Sequence, residues 1–262
     1  MTSVYTSSDG MHTEGIGALA QYQLFCYGLC KLTGKDYRFR PFSNLQHYQY
    51  HDVSQQEFCD DVNSLFAFDS KLPDKDTLEV EPSTLMREGQ ANVNLLRPYL
   101  SKLSLQLDDS KTYFDSKHVN VAIHVRVYTK TDCDLASSRE YFNKDSGMNL
   151  DYYRNIISTI ENKYTDKPVV FHIYSQGSED DFLVFKSFAK NVRLHIEEYP
   201  TISLYHMANS DILLMANSSL SYVAHLYGKA YTLASQGFYH KLYEDRTFRV
   251  GPDGLFDPAF LP

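Results

Sequence analysis

From Val119 onward, short apolar runs alternate with stretches of helical spacing, and this alternation constrains the fold more than any other feature of the chain. The runs Val119–Arg126, Pro168–Tyr174, Val192–Ile196, Ile212–Met215 and Tyr231–Ala234 read as strands. Between them, Leu150–Tyr164, Glu179–Ala189, Thr201–Ala208 and Leu220–Tyr227 read as helices. Repeated strand–helix units of this spacing predict a parallel, Rossmann-like α/β sheet. In the first run Val119, Val121, Ile123 and Val125 alternate with Asn120, Ala122, His124 and Arg126. The small Ala122 leaves both faces buryable, as a central strand of a parallel sheet requires.

In a parallel sheet the carboxyl ends of the strands share one edge, where open α/β folds take their ligands. Three of the runs end in polar groups: His124 and Arg126, then Ser175 and Gln176, then Asn217, Ser218 and Ser219. A guanidinium fixed at a strand end can grip two phosphate oxygens. Ser218 and Ser219 stand where a helix begins, so hydroxyls and unpaired backbone amides can face an anion. Each residue also has a purely structural reading. Arg126 could pair with a carboxylate, His124 could be a hydrogen-bonded core histidine, and Ser218 and Ser219 could be only a helix cap.

Upstream, Gly15-Ile16-Gly17 reads as a glycine turn opening an apolar helix that stops at Gly34. Glycines at a helix start let backbone amides approach an anion; a tight turn packed on a strand is the structural alternative. Asp36 to Leu45 is expected to hold a short strand, and Thr84 to Leu107 a helix with Leu95, Leu96, Tyr99, Leu100, Leu103 and Leu107 on its apolar face. The charged break Asp108–Lys111 divides the chain into an acceptor-side domain, 1–110, and a donor domain, 111–262. The aperiodic stretch Tyr128 to Asn149 is long enough to be expected as a functional loop.

Composition narrows the partners. A net charge of −8 argues against nucleic acid, which needs a basic face, but a small phosphorylated ligand needs only a local pocket. With 43% hydrophobic and 22% charged residues, the 262-residue chain can bury a full core. No apolar stretch reaches the length of a membrane span, and the first residues do not read as a signal peptide. Cys26, Cys30, Cys59 and Cys133 show no metal-type pairing, so free thiols and a soluble, cytoplasmic protein are expected.

The order Gly-x-Gly plus helix, then His-Val-Arg, then a Ser-Ser pair in a late turn resembles the fucosyltransferase superfamily of α1,2-, α1,6- and protein O-fucosyltransferases. Gly15 to Lys35 is similar to the opening helix of the bacterial α1,2 type, and Ala216 to Tyr222 to the family's Ala-Asn-Ser-Ser-Phe-Ser-Trp run. The resemblance implies a GT-B-like enzyme with two Rossmann-like domains, moving a sugar from a nucleoside-diphosphate sugar to a glycan hydroxyl, with inversion and without metal or cofactor. It further implies that Arg126 binds the donor diphosphate, His124 contacts the nucleotide, Ser218 and Ser219 hold phosphate oxygens, and Gly15-Ile16-Gly17 lies against the donor.

The chain departs from the family pattern in three places. Ala18 and Leu19 replace an Asn-Gln pair, and Val127-Tyr128 follows the arginine where a second Arg or Gly-Asp is common. Ser203 stands where the family has the carboxylate that reads guanine. The donor is therefore expected to be GDP-fucose or a UDP-sugar such as UDP-xylose. Asp9, His12 and Glu14, and Asp132 and Asp134, are candidates for the base that activates the acceptor. The altered positions leave two alternatives: an inactive nucleotide- or glycan-binding module of the same fold, and another α/β transferase with a phosphate ligand at this sheet edge.

Overall fold

The computed structural model describes residues 2–6, 15–66, 68, 71–126 and 150–262. The expected loop from Tyr128 to Asn149 lies outside the described residues. A small sheet of three parallel strands comes first, in the order β2-β1-β3: β1 (Ser3–Tyr5), β2 (Asp36–Tyr37) and β3 (Leu78–Glu79). Helix α1 (Ile16–Thr33) links β1 to β2 as a βαβ unit, and Gly34 ends it at φ 68°, a left-handed conformation that costs glycine little. Helices α2 (Gln55–Phe66), α3 (Pro82–Ala91) and α4 (Val93–Leu100) complete this part.

The second sheet holds six parallel strands in the order β6-β5-β4-β7-β8-β9. They are β4 (Val119–His124), β5 (Val169–Ser175), β6 (Val192–Ile196), β7 (Ile212–Leu214), β8 (Tyr231–Ser235) and β9 (Thr247–Val250). Helices α5 (Leu150–Lys163), α6 (Pro200–Asn209) and α7 (Ser219–Leu226) make three of the crossovers. A run of 3-10 turns, Glu179–Ser187, replaces the α-helix expected there. Chain order runs outward from β4 to β6, returns to β7, and continues outward to β9. This is the Rossmann order, and its reversal point lies between β4 and β7.

The α/β class and the parallel sheet agree with expectation, and β4 is indeed central and buried on both faces. On one face Val121, Ile123, Phe171, Ile173 and Leu214 pack with Ile156, Ile157 and Ile160 of α5. The other face carries Ala122, Tyr174 and Leu213 into a core shared with α1, α4, α6 and α7. One hydrophobic core thus runs from the small sheet's helices to the large sheet. Cys26, Cys30 and Cys59 are buried free thiols in it.

Two further expectations change. The single helix over Thr84 to Leu107 is two helices divided at Asn92 (φ −111°), and Ser101 to Leu107 does not continue them. Leu95, expected on the apolar face, is 59% exposed. The strand expected over Asp36 to Leu45 is only the two residues of β2. Among the described residues no helix is long and apolar enough to cross a membrane.

Candidate functional site

The reversal point of the large sheet opens into a cleft of about 470 Å³, lined from both parts of the molecule. Arg126, just past the end of β4, is half-buried there, and its Nη1 donates to Gln176 Oε1 at 3.1 Å. Gln176 follows β5, so two neighbouring strand ends orient the guanidinium. The Ser175 hydroxyl donates to the Val125 carbonyl at 2.7 Å and ties the same two ends together. His124 also lines the cleft and is only 6% exposed, and its Nδ1 has no hydrogen-bond partner among the described residues. Burial, with the Arg126 charge beside it, pushes the imidazole down to about 3, so it stays neutral.

Two helix N-termini meet opposite these strand ends. Ser218 caps α7 by accepting from the Leu220 amide at 3.3 Å. Helix α1 has Gly15 at its N-cap position and so no side-chain cap. A Cβ on Gly17 would lie 2.4 Å from the Leu220 nitrogen and 2.5 Å from the Ser219 carbonyl carbon. Only glycine allows the first turn of α1 to touch the first turn of α7. The positive ends of both helix dipoles therefore open into the cleft beside Arg126, an arrangement that favours an anion with several oxygens.

The fourth strand end supplies carboxylates that the strand-end argument from sequence omitted. Glu197 and Glu198 follow β6 and line the cleft. The Gly177 amide donates to Glu197 Oε1 at 2.6 Å. Ser203 lies at the start of α6, and its hydroxyl donates to Glu198 Oε2 at 3.2 Å. The Tyr113 hydroxyl donates to the same oxygen at 2.9 Å, and His195 Nδ1 lies 3.1 Å from Oε1. These hydrogen bonds outweigh burial and hold the Glu198 carboxyl below its usual value, hence ionised. With three of about four acceptor positions filled, Glu198 can take one further donor. Behind it the contact continues from His195 Nε2 to His172 Nδ1 at 3.0 Å.

The cleft therefore gathers Gly15, Ile16, Gly17, His124, Arg126, Ser175, Gln176, Ser203, Asn217, Ser218 and Ser219, all expected from the sequence. Asp9, His12, Glu14, Asp132 and Asp134 lie outside the described residues. His47, His51, Glu197, Glu198 and Tyr239 also line the cleft and were not anticipated. His47 and His51 flank a 3-10 turn in an aperiodic segment, where their only sequence signal is the density of His and Tyr between 47 and 51. Tyr239, in the β8–β9 connection, is 65% exposed at the cleft. Among the described residues no group of three or more His, Cys, Asp or Glu is placed to hold a metal ion.

No family model and no curated protein matches the chain. Solved structures that it is similar to include the NodZ alpha-1,6-fucosyltransferase soaked with GDP-fucose, at 11% identity and a TM-score of 0.43 over 90% of this chain and 95% of that one. Fucosyltransferase NodZ from Bradyrhizobium matches at 12% identity and TM-score 0.43, over 91% and 96% of the two chains. The NodZ enzyme co-crystallized with GDP matches at 11% identity and TM-score 0.35, over 86% and 91%. Likeness of this degree does not carry an activity from those proteins to this one.

Proposed function

We propose that the protein is a glycosyltransferase that moves a sugar from a nucleoside-diphosphate sugar to a glycan hydroxyl. The observation that carries this reading is the meeting of two helix N-termini, α1 from the first part and α7 from the second, beside Arg126. Cleaving the sugar–phosphate bond builds negative charge on the departing diphosphate. A guanidinium held by Gln176 and the two helix termini meet that charge most strongly in the transition state. In this reading they do the work of a metal ion, and attack from the opposite side of the sugar inverts its anomeric carbon. Neutral His124 offers a ring nitrogen to the nucleotide without adding charge.

The base is read at the end of β6. The single remaining acceptor position of Glu198 suits one ring N–H, such as N1–H of guanine or N3–H of uracil. Adenine has no ring N–H on that edge. GDP-fucose and UDP-xylose are accordingly the donors to test, and ADP is expected to bind more weakly than GDP or UDP.

Release of GDP from GDP-fucose, or of UDP from UDP-xylose, tests the reading and should continue in EDTA. Arg126→Ala should slow it about 100-fold, a loss of the size seen when one transition-state donor is removed. Nucleotide binding without turnover by the unaltered protein would make it a binding module instead.

A further inference from the structure

Among the described residues, three non-glycine residues have left-handed backbone: His47 at φ 76°, Asp52 at φ 49° and Glu197 at φ 56°. Such conformations cost about 1 kcal/mol or more each and persist only where the surroundings impose them. All three gather at one place. His47 and Glu197 line the cleft, and Asp52 directly follows His51, which also lines it. The strain thus brackets a short turn that carries His51 from the small-sheet side, and it recurs at the carboxylate on the large-sheet side.

The His51 ring is fixed from two directions. It stacks on Phe58 of α2 with centroids 5.8 Å apart and planes within 9°, and meets Tyr199 edge-on at 5.1 Å. Tyr199 is itself anchored, its hydroxyl donating to Asp61 Oδ2 at 2.8 Å. The charged or titratable groups facing the ring include His47 and Asp52 in its own segment, Tyr199 in contact with it, Asp61 and Glu57 of α2 beside Tyr199, and Glu197. Burial lowers the ring below the ordinary histidine value, with Glu197 opposing and His47 adding to that shift, so at neutral pH it is an unprotonated acceptor.

We propose that His51 is the general base of the transfer, positioned on the acceptor side of the cleft with Glu197 near it to steady the imidazolium. This rests on the glycosyltransferase reading above. The acceptor oxygen bonds to the anomeric carbon as its proton passes to the free ring nitrogen of His51. The bond from that carbon to the phosphate oxygen breaks, and its electron pair leaves on the diphosphate, held by Arg126 and the helix N-termini. The proton is released from His51 to solvent after the product departs.

The test uses the full chain, with GDP-fucose and UDP-xylose as donors, water standing in for the acceptor, and calorimetric GDP and UDP binding as a parallel readout. His51→Ala and His51→Gln should each slow nucleotide release about 100-fold, within the usual range for a general base, while nucleotide affinity stays within about threefold. In the unaltered protein the rate should fall on acidification with a midpoint below about 6.5, the ordinary histidine value, and the variants should lose that limb. Added imidazole should restore part of the His51→Ala rate and none of the His51→Gln rate.

Turnover within about threefold of normal with the acid limb intact would overturn the proposal, as would affinity lost in step with turnover in both variants. Absence of nucleotide binding by the unaltered protein would instead overturn the transferase reading, and this proposal with it.

Discussion

The two faces of the large sheet are built from the same strands by opposite chemistry. On one, Val119, Val121 and Ile123 of β4, with Val125 just past it, face α5 in a layer of aliphatic and Phe side chains against which Tyr152 and Tyr153 pack. On the other, the alternate positions are Asn120, Ala122 and His124, and β5 adds His172. The polar groups there need individual partners. The Asn120 amide donates to the Asp115 carbonyl at 3.0 Å, His172 meets His195, and His225 on α7 reaches Thr232 Oγ1 at 2.9 Å. The apolar face does little but stabilise. The polar face leads, through His124 and the His195–Glu198 contact, to the cleft. Burying polar groups is costly unless each is paired, so a sheet that buries its histidines on one side is expected to have a use for that side.

The largest expected contrast is with acid. Burial holds His124 and His225 down to about 3, His172 to about 2 and His206 to about 4. Each takes up its proton near pH 6.5 when unfolded but stays neutral when folded, so stability falls as pH drops below 6.5. The slope is about 1 kcal/mol per pH unit for each such histidine. Urea midpoints between pH 7 and pH 5 should fall steeply, and His225→Gln should flatten the slope. A midpoint independent of pH over that range would remove the contrast between the faces.

On the apolar face, Ile123→Ala should cost about 2–5 kcal/mol, the range for emptying a buried aliphatic site, and leave the pH slope unchanged. Gly17→Ala probes the seam between the two parts. Its Cβ would strike the backbone of Ser219 and Leu220, so about 1–3 kcal/mol of stability should be lost together with nucleotide affinity. Ser218→Ala removes the α7 cap, and the smallest change, about 1 kcal/mol, is expected in thermal melts.

Much of the large sheet was legible because its strands are buried on both faces and rich in β-branched residues. The ends of β4, β5 and β7 pointed to the cleft for the same reason. Edge strand β9, Thr-Phe-Arg-Val, escaped notice because three of its four residues are only partly buried, which leaves no apolar run to read. The tiny strands β1 and β3 escaped, and β2 was expected too long, because two or three residues hold no period. Glu198 was hidden by position. The serine at 203 looked like a lost carboxylate, yet a carboxylate five residues earlier in sequence accepts its hydrogen bond. His51 owes its place to a turn with left-handed residues at both ends, and His and Asp, though enriched at such positions, occur far more often elsewhere and so do not mark them.

If the strand ends and helix N-termini form one diphosphate site, nucleotide affinity must depend on Arg126. Calorimetric titration of GDP and UDP into the unaltered protein and Arg126→Ala tests it most directly. One nucleoside diphosphate is expected to bind, and Arg126→Ala to weaken it at least about tenfold, the scale of one charged hydrogen bond. Equal affinity in the two proteins, or no binding by either nucleotide, would contradict it.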